Sequence, residues 1–130
     1  MSEPDRVRVL DADRGPALDI VEGSEGSARA VVWPGIGAQL RSMQIITLAD
    51  GARTVTLRHP GEAVYYVLDG AGEATDGAAP DGQPIVEGSM VHVGPDTPYA
   101  FLAGPGGLEV VGGPSPADPA IYEGIAEATG

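Results

Sequence analysis

Few side chains in this sequence can carry out acid–base or nucleophilic chemistry. The chain has 2 histidines, His59 and His92, and 0 cysteines, which excludes disulfides, thiolate ligands and cysteine nucleophiles. The ordinary pKa of an imidazole, about 6.5, is close to physiological pH, so His59 is predicted to act as a general acid or base. The alternative for His59 is a packed imidazole that makes one hydrogen bond. Tyr99 either donates a proton or polarises a carbonyl, or is a core tyrosine whose hydroxyl reaches the edge of the core.

Short runs with β-strand character recur along the chain and are separated by Gly, Pro or Asp. Turn signals at intervals of about 8–12 residues are typical of a β-sandwich or β-barrel. Helical character is confined to Pro119–Ala128, with Asp118 as a candidate N-cap, so the tail is predicted to be a short helix or a strap. The predicted strands are residues 6–10, 17–21, 28–33, 43–48, 54–58, 64–68, 72–75, 84–87, 90–93, 99–102 and 108–112.

The chain is strongly acidic, with a formal net charge of -12 at pH 7. Phosphate backbones and anionic lipid repel such a chain, so we expect no nucleic acid and no membrane among its partners. The N-terminal residues lack the apolar core of a signal peptide, and no apolar stretch is long enough to span a membrane, so a cytoplasmic protein is expected. The glycines of Gly35–Leu40 are followed by neither a helix signal nor a Walker lysine, which argues against phosphate binding.

Two segments resemble the paired motifs of the cupin superfamily, whose members are all-β proteins with a double-stranded β-helix, or jelly-roll, barrel. The spacing of the family's first motif, G-x5-H-x-H-x3-E-x6-G, is matched by Gly51, Leu57, His59, Ala63 and Gly70. The spacing of its second motif, G-x5-P-x-G-x2-H-x3-N, is matched by Gly88, Gly94, Asp96, Tyr99 and Ala103. The resemblance covers residues 41–111 and implies one cupin domain over residues 1–130, with its barrel core at residues 28–112.

In the cupin family, the two histidines and the glutamate of the first motif and the histidine of the second bind one divalent metal. The resemblance puts at these positions Leu57, His59, Ala63 and Tyr99. Leucine and alanine have no lone pair to donate, and a neutral phenol is a poor ligand for ordinary divalent ions, so we predict a metal-free barrel with no cofactor. His92 and Glu62 are each offset by one residue from an inward position and are expected to face outward. A local bulge would turn the Glu62 side chain inward.

The resemblance and the alternation of strand residues together predict the lining of the barrel. The inner face is expected to hold Leu57, His59, Ala63, Tyr65, Val67, Tyr99 and Phe101. Arg41 and Gln44 lie on a preceding strand where the family often places polar groups of the pocket. Arg41 would bind a carboxylate or enolate oxygen if it faces inward, and the alternative is a surface arginine. Such a lining suits a partly aromatic or polyketide-like ligand of modest size.

Three classes of function are compatible with these residues. The first is a metal-independent enzyme of secondary metabolism that performs isomerisation, cyclisation or lyase-type elimination, with His59 and Tyr99 as its acid–base pair. A sugar-nucleotide epimerase branch of the cupins uses such a His–Tyr pair without a metal. The second is a non-catalytic cupin that binds or senses a small molecule, and the third is a metal-dependent oxygenase with unusual ligands. The apolar outer strands and the N-terminal segment also predict a homodimer.

Overall fold

The computed structural model describes residues 7–76 and 82–122. Within these residues the strands are β1 (Gly26–Val32), β2 (Met43–Leu48), β3 (Glu62–Thr75), β4 (Gln83–Val86), β5 (Met90–Val93) and β6 (Ala100–Ser115). Three short 3-10 helices are η1 (Ala12–Arg14), η2 (Pro34–Ile36) and η3 (Pro119–Tyr122). None of the helices in this part of the chain is long and apolar enough to cross a membrane.

Two long antiparallel strands, β3 and β6, hold the fold together. They pair with each other along most of their length, and the order of strands is β1-β2-β6-β3-β4, with β5 also pairing to β3. One half of β3 pairs with β5 through Ala63–Tyr66, and the other half pairs with β4 through Ala71–Ala74. The extended segment 52–57 hydrogen-bonds to residues 99–103 and adds a further pairing beside β6. These pairings form the predicted jelly-roll barrel.

Glycines bend the long strands instead of ending them. The register of β3 against β6 shifts between Val67 and Asp69 and again between Gly70 and Gly72. Gly70 has a φ of 84°, and a Cβ at this position would lie 2.2 Å from the carbonyl oxygen of Gly107, so a glycine is required there. Separate strands were predicted at residues 64–68 and 72–75, whereas the structure has one bulged strand. The predicted strands at 99–102 and 108–112 likewise belong to the single strand β6.

Three other predicted strands differ from the structure. Residues 7–10 of the predicted strand 6–10 have no regular secondary structure, and Val7 and Val9 are each 96% exposed. The predicted strands 17–21 and 54–58 make only isolated bridges, such as Val21 to Thr54. A strand needs a continuous ladder of backbone partners, and an alternating sequence pattern does not supply one.

The segment after β6 returns to the barrel and packs against it. Asp118 is the N-cap that the sequence predicts: its Oδ1 accepts a hydrogen bond from the Ala120 N–H at 3.1 Å. Ile121 and Tyr122 are buried, and the Tyr122 ring lies 5.3 Å from the Trp33 ring between centroids. The predicted helix is thus one turn of 3-10 helix at 119–122, and its remaining residues, 123–128, lie outside the described part of the chain.

Candidate functional site

His59 is held in place by its backbone neighbours. The Leu57 N–H donates to the Tyr99 carbonyl at 2.7 Å, and the Tyr99 N–H donates to the Leu57 carbonyl at 2.8 Å. The His59 carbonyl accepts a hydrogen bond from the Asp96 N–H at 2.7 Å. Asp96 has a φ of 62°, in keeping with its predicted role as a turn residue, and forms a bidentate ion pair with Arg58 at 2.9 and 3.1 Å. The backbone thus brings His59 and Tyr99 side by side.

Both ring nitrogens of His59 have buried partners. Nδ1 lies 2.7 Å from Asp118 Oδ2, and Nε2 lies 2.7 Å from the Tyr99 hydroxyl. His59 and Tyr99 are each only 3% exposed. An ionised carboxylate can only accept, so Nδ1 then donates to Asp118, and when the imidazole is neutral its Nε2 accepts from the Tyr99 O–H. This arrangement resembles the orienting carboxylate and imidazole of a catalytic triad.

The hydrogen bonds continue from Tyr99 across the barrel. The Tyr65 hydroxyl lies 2.7 Å from the Tyr99 hydroxyl, and Gln44 Nε2 donates to the Tyr65 hydroxyl at 3.4 Å. With Asp118 as the final acceptor and His59 neutral, these contacts allow each group to donate to the next in a single direction, from Gln44 through the two phenols and His59. We call Asp118, His59, Tyr99 and Tyr65 the relay. Gln44 Oε1 is buried without a hydrogen-bond partner among the described residues.

Burial keeps both phenols of the relay protonated. It raises the pKa of Tyr65 to about 12, although hydrogen bonds with Tyr99 and Gln44 oppose this increase. Burial also raises the pKa of Tyr99 far above its ordinary value, and the neighbouring Tyr65 raises it further. A free phenolate in this interior is therefore strongly disfavoured at physiological pH.

A cavity of about 270 Å³ lies between β4 and β5, and Tyr99 is the relay residue that lines it. The two strands pair with different halves of β3, and residues of both line the cavity. Apolar walls are formed by Ile85, Val91 and Val93. A ligand in this cavity would meet the relay at Tyr99.

The interior behind this cavity is filled by aromatic rings. The Tyr65 ring lies 4.9 Å from the Phe101 ring and 5.7 Å from the Tyr99 ring, measured between centroids. The remaining residues that the sequence assigned to ligand binding are buried, but they do not line the 270 Å³ cavity. These residues are Gln44, Leu57, Ala63, Tyr65, Val67 and Phe101. They are buried, as their predicted inward orientation requires, and the Tyr65 and Phe101 rings pack against each other.

Arg41 does not face the interior. It is exposed, while the next residue, Ser42, is 1% exposed, and both lie directly before β2. Arg41 instead lines a separate cavity of about 150 Å³ that also contacts Val64 and Tyr66, which are 38% and 40% exposed. The expectation that Arg41 binds a ligand inside the barrel is wrong, and the alternative of a surface arginine applies.

The residues at the family's metal positions do not fit a divalent ion. Leu57 and Ala63 supply no donor atom, and both nitrogens of His59 are already engaged by Asp118 and Tyr99. In residues 7–76 and 82–122 no group of three or more His, Cys, Asp or Glu comes together. His92 and Glu62 point outward, with side chains 62% and 61% exposed, and lie 3.3 Å apart. The described residues therefore do not include the ligand set that a metal-dependent oxygenase would need.

Asp118 is the site residue that sequence reasoning missed. Its only sequence signal is the Asp–Pro pair that begins η3, and that signal indicates a helix cap. Oδ1 accepts the capping hydrogen bond from the Ala120 N–H, and the second oxygen, Oδ2, contacts His59 Nδ1. The two residues are 59 positions apart in sequence, and no local pattern indicates that the tail returns to the barrel.

The chain matches no protein-family model and no curated protein. Its fold is similar to that of the polyketide cyclase RemF from Streptomyces resistomycificus, with a TM-score of 0.69 and 16% sequence identity over 85% of this chain and 82% of RemF. An RmlC-like cupin from Shewanella frigidimarina matches with a TM-score of 0.63 and 19% identity over 81% of this chain and 86% of its own. KdgF from a Halomonas species matches with a TM-score of 0.66 and 16% identity over 87% and 96% of the two chains. Together with the bulged jelly-roll barrel, these similarities show that the chain has the cupin fold.

Proposed function

We propose that this cupin is a metal-independent enzyme that moves a proton on a small molecule, as in an isomerisation, a cyclisation or a lyase-type elimination. The observation that carries the proposal is the pair of 2.7 Å contacts from His59 to Asp118 and to Tyr99. A carboxylate, an imidazole and a phenol in series are the parts of a general base whose tautomer is fixed. The neighbour RemF is named a polyketide cyclase, which agrees with chemistry of this kind on this fold.

The relay would act as a base through Tyr99. An acidic proton of the ligand moves to the Tyr99 oxygen while the phenolic proton moves to His59 Nε2, and Asp118 stabilises the imidazolium that forms. Return of the proton to a different atom of the ligand completes an isomerisation or cyclisation with no oxidant or reductant. Because burial raises the pKa of Tyr99, the two transfers are expected to be concerted, without a free phenolate. Tyr65, 2.7 Å away, donates to the Tyr99 oxygen and stabilises negative charge that develops there.

One observation favours a second candidate, a cupin that binds a small molecule without changing it. His59 is 3% exposed, and both of its nitrogens already have partners. The relay would then serve only to orient Tyr99 as a wall of the binding cavity. The two candidates differ in whether a ligand exchanges a proton with the protein.

Deuterium exchange into a neutral enolisable ketone distinguishes the two candidates. With 2-tetralone in D2O, the wild-type protein should speed exchange at the carbon beside the carbonyl. Tyr99→Phe and His59→Gln should each reduce the acceleration roughly 10²–10⁴-fold, as expected for loss of a general base. Tyr66→Phe is the matched control, because Tyr66 is 40% exposed and lies outside the relay. The rate should also survive treatment with a chelator, and equal rates in all four proteins would leave only the binding candidate.

We also propose that two copies of the chain associate through the outer face of β3 and β5. Four large apolar side chains on these strands are exposed: Val64, Tyr66, Leu68 and Met90. We call these four residues the outer patch. Tyr66 pairs with Met90 in the register, and Val64 pairs with His92, whose imidazole lies 3.3 Å from the outward-facing Glu62 at the edge of the patch. In a chain with a net charge of -12, such a patch offers two copies an apolar surface for contact beside this Glu62–His92 pair.

A further inference from the structure

We infer that the cavity of about 150 Å³ beside Arg41 binds a small carboxylate with an apolar body. We call this cavity the outer cavity, because the outer-patch residues Val64, Tyr66 and Met90 are among those that line it. The inference does not depend on the proton transfer of the proposed function, and it assigns a second binding site on another face of the barrel.

The exposed lining of the outer cavity is mainly apolar. Val64, Tyr66 and Met90 are 38%, 40% and 65% exposed, so they present apolar surface to water. Met43 from β2 and Val111 from β6 extend this surface across the neighbouring strands. A ligand with an apolar body would remove part of this surface from water, which is a favourable contribution to binding.

Arg41 supplies the positive charge of the outer cavity. It is exposed, and among the described residues it forms neither a hydrogen bond nor an ion pair. Every other arginine in this part of the chain has such a partner, and these are Arg8, Arg14, Arg29, Arg53 and Arg58. A guanidinium on a long side chain that no other group holds is free to turn towards an anion bound beside it.

The lining of the outer cavity contains no acidic residue that would compete for Arg41. Neither aspartate nor glutamate is among the described lining residues, although the chain has 19 acidic residues. Glu62, at the edge of the outer patch, lies 3.3 Å from His92. An anion at this point would therefore meet one unpaired cation, whereas most of the chain repels it.

Charge and volume define the class of ligand. A guanidinium binds a carboxylate through two parallel hydrogen bonds. One carboxylate balances the single charge of Arg41, whereas a phosphate dianion would keep one uncompensated charge in a chain with a net charge of -12. A cavity of roughly 150 Å³ accommodates a group of the size of benzene. The ligand is therefore a carboxylate attached to a single ring or to a short alkyl chain.

Four small molecules test the inference by NMR titration at pH 7 and low NaCl: phenylacetate, 2-phenylethanol, acetate and phenyl phosphate. Low salt strengthens the interaction with Arg41 and keeps the proposed association of two chains weak. We expect phenylacetate to bind roughly tenfold or more tightly than each of the other three. The backbone signals of Gly112 and Gly113, which line the outer cavity, should shift, whereas that of Gly94, in the 270 Å³ cavity, should not.

Three outcomes of these titrations would overturn the inference. Equal binding of phenylacetate and 2-phenylethanol would show that the carboxylate has no partner. Tighter binding of phenyl phosphate would assign the cavity to another class of anion. No binding of phenylacetate, or shifts at Gly94 without shifts at Gly112 and Gly113, would remove the site.

A matched pair of variants tests the role of Arg41. Arg41 is exposed, so Arg41→Gln should fold normally, and it should reduce the affinity for phenylacetate roughly tenfold, to that for 2-phenylethanol. Arg14→Gln is the control, because it removes the same charge from a side chain that is 86% exposed and lies outside the lining. An equal loss in both variants would show that only the net charge matters and would refute the site. Binding of phenylacetate by a chain that stays monomeric in high salt would refute the proposed association and leave this inference standing.

Discussion

His59 lies at a position where the resemblance to the cupin motif implies a metal ligand, and both of its ring nitrogens contact protein groups instead. The motif spacing predicts its inward direction and that of Tyr99, because alternation fixes the face of each strand residue. The relay itself could not be predicted, since Asp118 depends on a tail that folds back over 59 positions and on a second oxygen not used by the cap. The direction of Arg41 could not be predicted either, because the sequence does not show that its neighbour Ser42 is the buried residue of the two. The direction of a side chain was therefore predictable where the residue lies in a strand pattern. Its partners were not predictable where they come from a distant part of the chain.

Tyr65 provides a prediction at this scale, because its phenol is neutral in the folded protein well above its ordinary pKa. Burial raises the pKa of Tyr65 from 10.0 to about 12. Between these values the unfolded chain has lost the phenolic proton while the folded chain retains it, so stability falls as pH rises. The contribution is fully present below pH 10 and is lost through pH 12, and it amounts to roughly 3 kcal/mol.

Urea unfolding of the wild-type protein and Tyr65→Phe between pH 8 and pH 11 measures this contribution. The wild-type free energy of unfolding should decrease more steeply above pH 10 than that of the variant. Tyr99 adds to the slope of both proteins in the same direction, because burial raises its pKa as well. Parallel curves for the two proteins would show that the Tyr65 phenol is not held neutral by the fold.

At the scale of elements, the sequence predicts where the chain turns better than what each turn does. Gly51, Gly70 and Gly88 have φ values of 77°, 84° and 94°, the left-handed conformations that the motif glycines indicate. Gly70, however, lies within β3 at a bulge, because the strand continues against β6 on both sides of it. A glycine reports a conformation at one residue, and whether the strand ends there depends on partners that local sequence does not specify.

The tail is the element that completes the relay, so its docking should control the proton on His59. Tyr122 is 5% exposed and packs on Trp33, and this contact holds η3 beside the barrel, with Asp118 directly before it. Tyr122→Ala should release the segment, whereas Tyr122→Phe retains the ring and is the matched control. Asp118 would then leave His59 Nδ1 without an acceptor.

Two signals report this change. The chain has 1 tryptophan, Trp33, so its fluorescence should shift to the red in Tyr122→Ala and stay unchanged in Tyr122→Phe. The downfield NMR resonance of the His59 Nδ1 proton, protected by a 2.7 Å contact with Asp118, should disappear in the alanine variant alone. Its persistence together with a red-shifted Trp33 would show that Asp118 is held by other contacts than Tyr122.

For the whole molecule, composition explains more about partners than about the site. The net charge of -12 makes a nucleic acid an unfavourable partner, because phosphate groups repel an acidic chain. The fold class follows from recurring short strands and turns, because few architectures accommodate that pattern. Assembly is different: it depends on which apolar side chains remain exposed, and the outer patch becomes visible only when the strands are placed in register.

Association of two chains through the outer patch should depend on salt in a direction set by charge. Each copy has a charge of -12, so repulsion opposes association and screening by salt relieves it. In sedimentation experiments the dimer fraction should increase with NaCl, and Tyr66→Glu, which places a carboxylate in the middle of the patch, should give a monomer at all salt concentrations. Val86→Glu is the matched control, because Val86 is 57% exposed but pairs with Ala71 at the other half of β3. A wild-type protein that stays monomeric in high salt, or a dimer that Val86→Glu disrupts as strongly as Tyr66→Glu, would place the interface elsewhere or remove it.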